Sequence, residues 1–204
     1  MPTLALFPTP VYTNQISSDK FELVQNELLT AVNKIKENNL FQKRSDWNTS
    51  TLSISDPTFN QNIIKKYSLL LFQEQLELHI MQYMSEIGTP ISKASKDKIL
   101  IQSAWFTQTM KDEYSHDHMH GDCDISGVYY VKTNGNDGSI YFNTPSPTIS
   151  SSYCFLHIPG RHITPPSEGT ILLFPGFLNH GVYCNKTDNE RLSISFNIFF
   201  KRSF

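Results

Sequence analysis

Charge is scarce in this chain and balanced in sign: 18% of its residues are charged, with 17 Lys and Arg against 19 Asp and Glu, a formal net charge of −2. That balance supplies no electrostatic footprint for nucleic acid or for an anionic membrane. Few charges beside 39% apolar and 12% aromatic residues also exclude disordered, collagen-like and coiled-coil chains. Long apolar runs are missing too. None approaches the roughly 20 residues a spanning helix requires. The opening MPTLALFPTPVY lacks the basic start and long apolar stretch of a signal peptide, so a cytoplasmic protein is expected. Cysteine is sparse, and Cys123, Cys154 and Cys184 are odd in number and too far apart for CxxC clips or a secreted disulfide framework. They read as free thiols. Internal repeats and low-complexity tracts are absent as well.

What is present is enough apolar residue to bury a sizeable core. The expectation is one domain over 1–204, with a helical support region at 1–97 and a β-rich core at 98–204. Ser18, Asp19 and Glu22 suggest a helix cap ahead of Phe21, Val24, Leu28, Val32 and Ile35, whose spacing draws one apolar stripe that Asn38 and Asn39 end. A second helix is expected from about Asp56 to Ile87, stopped by Gly88-Thr89-Pro90, and its length suggests a break inside.

From Lys98 onward the texture changes to short β-rich runs: ILIQSAWFTQ, ISGVYYVK, GSIYFN, YCFLHI, GTILLF, HGVYC and ERLSISFNIFFK. Asn134-Gly135-Asn136-Asp137-Gly138 reads as a hairpin turn, and Thr144 to Pro147, Thr164-Pro165-Pro166 and Asn185 to Asn189 as loops or turns. Many short strands with such punctuation predict a mainly β (α+β) jelly roll or barrel, with the N-terminal helices packed on one sheet. On the last strand Arg191, Ser193, Ser195 and Asn197 fall on one face and Leu192, Ile194, Phe196 and Ile198 on the other. The polar face borders either water or a pocket inside the barrel.

Three of the seven histidines fall within Ser115-His116-Asp117-His118-Met119-His120-Gly121-Asp122. On a strand, alternate members share a face and two of them could clamp one metal ion. His180, after an apolar strand and a Pro-Gly turn, is the best candidate for a third ligand, whereas His79, His157 and His162 lack such neighbours. Histidine and carboxylate ligands without thiolate describe a non-haem Fe(II) centre. Arg191 lies eleven residues beyond His180, so a hairpin of HGVYC and ERLSISFN would bring its guanidinium, a bidentate fork for carboxylates, near that histidine, with the Ser193 hydroxyl as a further donor.

HMHGDCDISGVYYV, GSIYFNTP, EGTILLFPGFLNHGVYCN and ERLSISFN together resemble the Fe(II)/2-oxoglutarate-dependent oxygenases of the kind found in phages and marine bacteria, over roughly Trp105 to Asn197. The resemblance implies a double-stranded β-helix catalytic core, with His118, His120 and His180 at Fe(II) and Arg191 with Ser193 on the distal carboxylate of 2-oxoglutarate. It implies an oxidoreductase, a hydroxylase that uses 2-oxoglutarate and O2 on an unidentified substrate. The superfamily's usual His-x-Asp is replaced here: alignment to Ser126-Gly127 selects His118-x-His120, while spacing alone equally permits His120-x-Asp122 with His180. Of the tyrosines on alternate faces of one strand, Tyr130 rather than Tyr129 is the candidate to hydrogen-bond the cosubstrate. Trp105 reads as core, Gly127 as a close-packing position, and Asp117 and Asp124 as carboxylates that fix an imidazole tautomer. Two other readings fit the same residues: a three-histidine iron dioxygenase without 2-oxoglutarate, and a non-catalytic jelly-roll binding or structural protein. The N-terminal helices are compatible with a homodimer or with a simple cap on the barrel.

Overall fold

A computed structural model of the chain describes residues 8–44, 49–52, 62–89, 98–146 and 159–201. The elements run β1 (Tyr12–Gln15), α1 (Ser18–Glu37), β2 (Phe41–Arg44), β3 (Thr49–Leu52), α2 (Ile63–Lys66), α3 (Leu70–Glu86), β4 (Ile99–Thr109), β5 (Ser115–His118), β6 (Ile125–Lys132), β7 (Ile140–Asn143), β8 (Arg161–Thr164), β9 (Thr170–Pro175), β10 (His180–Val182) and β11 (Arg191–Phe200). Among the described residues the strands form a seven-stranded sheet, β1-β9-β6-β11-β4-β3-β2, and a four-stranded sheet, β5-β10-β7-β8, with antiparallel pairing throughout. Two antiparallel sheets with helices on the outside of the larger one make the double-stranded β-helix, or jelly roll, expected from the strand pattern.

From β4 to β7, and again from β8 to β11, each strand lies in the other sheet from the one before it, and this corrects two local expectations. β6 lies in the large sheet and β7 in the small one, so Asn134 to Gly138 is a crossing between sheets and not a hairpin turn. Likewise β10 and β11 lie in different sheets, so HGVYC and ERLSISFN are not a hairpin. Arg191 and His180 meet by facing each other across the interior instead of along one sheet.

The helical layer follows from the apolar stripe of α1, which buries Val24, Leu28, Ala31, Val32 and Ile35. These pack with Phe72, Leu76 and Ile80 of α3 on the outward face of the large sheet: Ile125, Tyr129 and Val131 of β6, Ile171 and Leu173 of β9, and Leu192, Ile194, Phe196 and Ile198 of β11. Each Val, Leu, Ile or Phe among them contributes about 1.5–3 kcal/mol by leaving water. The expected side-chain cap of α1 does not form; Ser17 is the N-cap residue and makes no side-chain hydrogen bond. The C-terminus behaves as expected, with Asn38 Nδ2 donating to the Lys34 carbonyl at 2.7 Å and Asn39 at φ 52°. The second helix is broken: α2 ends before Ser68, which has φ 53°, and α3 starts at Leu70. Glu27 of α1 caps that restart by accepting the backbone N–H groups of Leu71 and Phe72 at 3.0 and 2.9 Å. The expected start near Asp56, the YCFLHI run, His157 and Cys154 lie outside the described residues.

The first 97 residues are not purely helical, since β1 pairs with β9, and β2 and β3 extend the large sheet beyond β4. Among the described residues no helix is long and apolar enough to cross a membrane.

Candidate metal centre between the two sheets

Because α1 and α3 cover one face of the large sheet, the other face of β6, β9 and β11 must be satisfied by the small sheet. Val128, Tyr130, Leu172 and Phe174 do this against Ile140, Phe142 and Leu178 in a second, smaller apolar cluster. Where that cluster stops, a cavity of about 60 Å³ remains, walled by Arg191, Ser193 and Ser195 of β11, Trp105 and Thr107 of β4, Tyr130 of β6, and the three histidines 118, 120 and 180. The polar face of β11 therefore borders an interior cavity, not solvent. Asn197, farther along that face, accepts a hydrogen bond from Ser126 Oγ at 3.1 Å. Trp105 departs from the expectation of a core residue: it is a cavity wall, its ring 6.0 Å from that of His120. The parity of β4 carried the signal, because Trp105, Thr107 and Thr109 alternate with Ala104 and Phe106 of the helix-facing core.

The histidines converge from two adjacent strands of the small sheet. His118, the last residue of β5, sits directly opposite His180, the first of β10. His120 lies two residues past the end of β5, where its backbone N–H donates to the Gly176 carbonyl at 2.8 Å. A Cβ at Gly176 would lie 2.6 Å from the His120 carbonyl oxygen, so only glycine lets the two segments approach this closely. The ring centroids are separated by 4.3 Å (118 to 180), 5.0 Å (118 to 120) and 5.3 Å (120 to 180), and one potential ligand atom from each ring lies within 4.8 Å of the others. Asp122 is exposed and outside this group.

Two of the rings have their orientation set by backbone. His118 Nδ1 pairs with the His116 carbonyl at 2.7 Å and His180 Nδ1 with the Leu178 carbonyl at 2.8 Å. A carbonyl can only accept, so each Nδ1 carries the proton and each Nε2 keeps its lone pair. The expected carboxylate orienters are used elsewhere: Asp117 accepts from Tyr141 Oη and from Asn143 Nδ2 (3.0 Å), and Asp124 accepts from the Phe200 N–H at 2.8 Å. Burial pushes all three imidazoles below their ordinary pKa, His120 to about 4 and His180 to about 3, with neighbouring imidazoles adding to the effect at His120 and His180. At neutral pH they are uncharged, as a metal ion requires of its histidine ligands. Three neutral imidazoles, no thiolate and open cavity on one side suit a divalent first-row metal with exchangeable positions.

Arg191 is the other unusual feature. It is 3% exposed, yet among the described residues no carboxylate lies within ion-pair distance of its guanidinium. Nη2 donates to Thr109 Oγ1 at 3.0 Å, Nη1 to the carbonyls of Asp137 (3.3 Å) and Gly138, and Nε has no partner among the described residues. Burial pulls its pKa down from the ordinary arginine value, a sign of an under-compensated charge. Tyr130, on the same cavity wall, keeps its proton, its phenol pushed up to about 12 by burial. Tyr129 points the other way and donates to Gln25 Oε1 at 3.0 Å. Sequence reasoning missed Thr109, Asp137 and Asn189, all of which support Arg191 or its loop; the parity of β4 could have found Thr109, but nothing in the turn composition marked the other two.

Residues 103–197 match the family described as "Putative 2OG-Fe(II) oxygenase". No curated protein matches the sequence. Among solved structures, a prolyl-4-hydroxylase from Pseudomonas putida aligns over 95% of this chain and 94% of its own, with TM-score 0.58 and 15% identity. A viral collagen prolyl hydroxylase from Paramecium Bursaria Chlorella virus-1, in a 2OG complex, aligns over 92% and 94%, with TM-score 0.55 and 12% identity. HygX from Streptomyces hygroscopicus, with nickel, 2-oxoglutarate and hygromycin B bound, aligns over 95% and 84%, with TM-score 0.57 and 13% identity. At these identities the likeness is one of fold.

Proposed function

We propose that this chain, a 2OG-Fe(II) oxygenase and hence an oxidoreductase over residues 103–197, is a hydroxylase that holds Fe(II) on His118, His120 and His180 and anchors 2-oxoglutarate on Arg191. The observation that carries the reading is the buried guanidinium of Arg191, which shares a cavity with three neutral imidazoles and lacks an acid partner among the described residues. Leaving a charge buried and uncompensated is costly, and a ligand carboxylate entering the cavity relieves that cost. Arg191 then binds the distal carboxylate of 2-oxoglutarate, with the hydroxyls of Ser193 and Tyr130 as additional donors. The phenol of Tyr130, protonated far above neutral pH, serves as a donor throughout the working range.

Fe(II) with 2-oxoglutarate and O2 supplies oxidative decarboxylation to succinate and CO2, coupled to insertion of one oxygen atom into a substrate C–H bond. The chain would contribute binding and orientation: the carbonyl-held imidazoles of His118 and His180 would present Nε2 to the metal, and Phe174, whose ring centroid lies 4.7 Å from that of His180, is an apolar part of the same cavity lining. The prolyl hydroxylases among the structural neighbours support hydroxylation as the outcome; prolyl residues, free amino acids and small metabolites are the substrate classes to screen. Cys123 and Cys184 are free thiols, in keeping with a reducing cytoplasm.

The test is anaerobic titration of the Fe(II)-loaded protein with 2-oxoglutarate, followed by the visible metal-to-ligand charge-transfer band that bidentate chelation produces. The band is expected, and H180A should lose it together with the iron. Tightly bound iron without a band would replace the proposal with a dioxygenase that needs no 2-oxoglutarate; failure to bind iron at micromolar concentration would favour a non-catalytic protein.

A further inference from the structure

The Asn134-Gly135-Asn136-Asp137-Gly138 crossing does more than change sheets. Its last two carbonyls both accept from Nη1 of Arg191. Gly138 has φ 104°, and a Cβ there would collide with the Tyr183 carbonyl oxygen and sit 3.0 Å from Nη1, so only glycine fits where the backbone closes on the guanidinium. Asp137 is 0% exposed, and its carboxylate is fully engaged: Oδ1 accepts from Thr133 Oγ1 at 2.5 Å, and Oδ2 from the Asn134 N–H and from Asn189 Nδ2, each at 2.9 Å. Asn189 belongs to the separate crossing that leads into β11, which is itself pinned by Asn185, whose Nδ2 donates to the carbonyls of Asn189 at 2.7 Å and Thr109 at 3.2 Å. Two loops from opposite sheets thus meet on one buried carboxylate behind Arg191.

We propose that Asp137 is a positioning residue for 2-oxoglutarate: braced by Thr133 and Asn189, its carboxylate fixes the 137 and 138 carbonyls on Nη1 of Arg191 and leaves Nε free for the ligand. The side chain of Asp137 acts at a distance, since it forms no direct ion pair with Arg191. A carboxylate that touched the guanidinium would compete with the ligand for it; one held back by three other donors steadies the cation and keeps its fork available.

This inference rests on the reading of Arg191 given above, and the experiment separates the two. Calorimetry on the Mn(II)-loaded protein would compare 2-oxoglutarate with 2-oxobutanoate, which lacks the distal carboxylate, in the parent, D137N, R191M and the double variant. D137N is expected to weaken 2-oxoglutarate binding about tenfold, the scale on which outer-layer partners act, to leave 2-oxobutanoate and Mn(II) affinity unchanged, and to add nothing to R191M. Equal weakening of both ligands, no weakening, or effects that add to those of R191M would overturn the positioning role while leaving the anchor intact. Unchanged 2-oxoglutarate binding in R191M would instead overturn the anchor, and the inference with it. Should D137N fail to fold, T133V removes one brace and carries the same test: a loss selective for 2-oxoglutarate supports the role, and a loss common to both ligands overturns it.

Discussion

Replacing Arg191 with Met separates what the guanidinium does for the fold from what it does for the ligand. In the free protein the substitution removes donors to Thr109 Oγ1 and to the carbonyls of Asp137 and Gly138, each with a net worth of about 1 kcal/mol. It also removes a buried cation that forms no direct ion pair among the described residues, which by itself is stabilising on a similar scale. The two oppose one another, so the unliganded variant should melt within a few degrees of the parent. The ligand tells a different story. A charge-assisted bond is worth about 1.5–3 kcal/mol, or about 10- to 150-fold in Kd. At a 2-oxoglutarate concentration 100 times the parent Kd, binding stabilises the parent by about 2.7 kcal/mol. For a chain of 204 residues, at about 2–4 °C per kcal/mol, that is a rise of about 5–11 °C. With Kd raised about 50-fold, the same concentration yields RT ln 3, about 0.65 kcal/mol, and a rise of about 1–3 °C. The assay is thermal unfolding of the Mn(II)-loaded proteins with and without 2-oxoglutarate. A variant that kept the full ligand-induced rise would refute the assignment of Arg191 as the anchor.

Two further outcomes follow from the packing and the titration of the core. At Gly127 an added Cβ would lie 2.5 Å from Phe196 Cε2 and 2.6 Å from the Leu172 carbonyl oxygen, so G127A should cost about 1–3 kcal/mol and lower the melting temperature; an unchanged midpoint would show that the sheet opens there freely. Acidification should destabilise the metal-free protein between pH 6.5 and 5. His79, His118, His120 and His180 have folded pKa values pushed below the ordinary 6.5 by burial, so their stabilising effect is complete above the unfolded pKa and is lost as pH falls, when the unfolded chain takes up protons that the folded one refuses. Urea midpoints measured across that window check the sign, and a midpoint that rose on acidification would contradict it.

The sequence disclosed those parts of the site that depend on period and local density. Arg191, Ser193 and Ser195 announced a shared face through alternation, and His118 and His120 through proximity, because a strand's geometry is set by φ and ψ alone. The direction that face looks is a tertiary matter, and it was resolved only when α1 and α3 were seen to cover the opposite side. The hairpin expected to link Arg191 to His180 does not exist; the two come together because β10 and β11 lie in opposite sheets that face each other across the cavity. Asp137 was hidden by its own chemistry, since Asn, Gly and Asp are the ordinary residues of turns and their composition cannot disclose that a carboxylate is buried beneath a guanidinium. β1, β2 and β3 escaped notice because strands of four residues owe their existence to distant partners such as β9 and β4.

The alternation of β11 separates two kinds of evolutionary freedom. Its odd positions, 191, 193 and 195, face the cavity, while its even ones, 192, 194, 196 and 198, are cemented under the helices, and both sets share one backbone bonded to β4 on one side and β6 on the other. Substitutions at odd positions can retune what the cavity accepts without touching the apolar layer that carries the stability. The amide protons of Ser193 and Ser195, locked in that central strand, should then exchange with solvent only when the whole molecule opens, so that the lifetime of the ligand anchor is the lifetime of the fold.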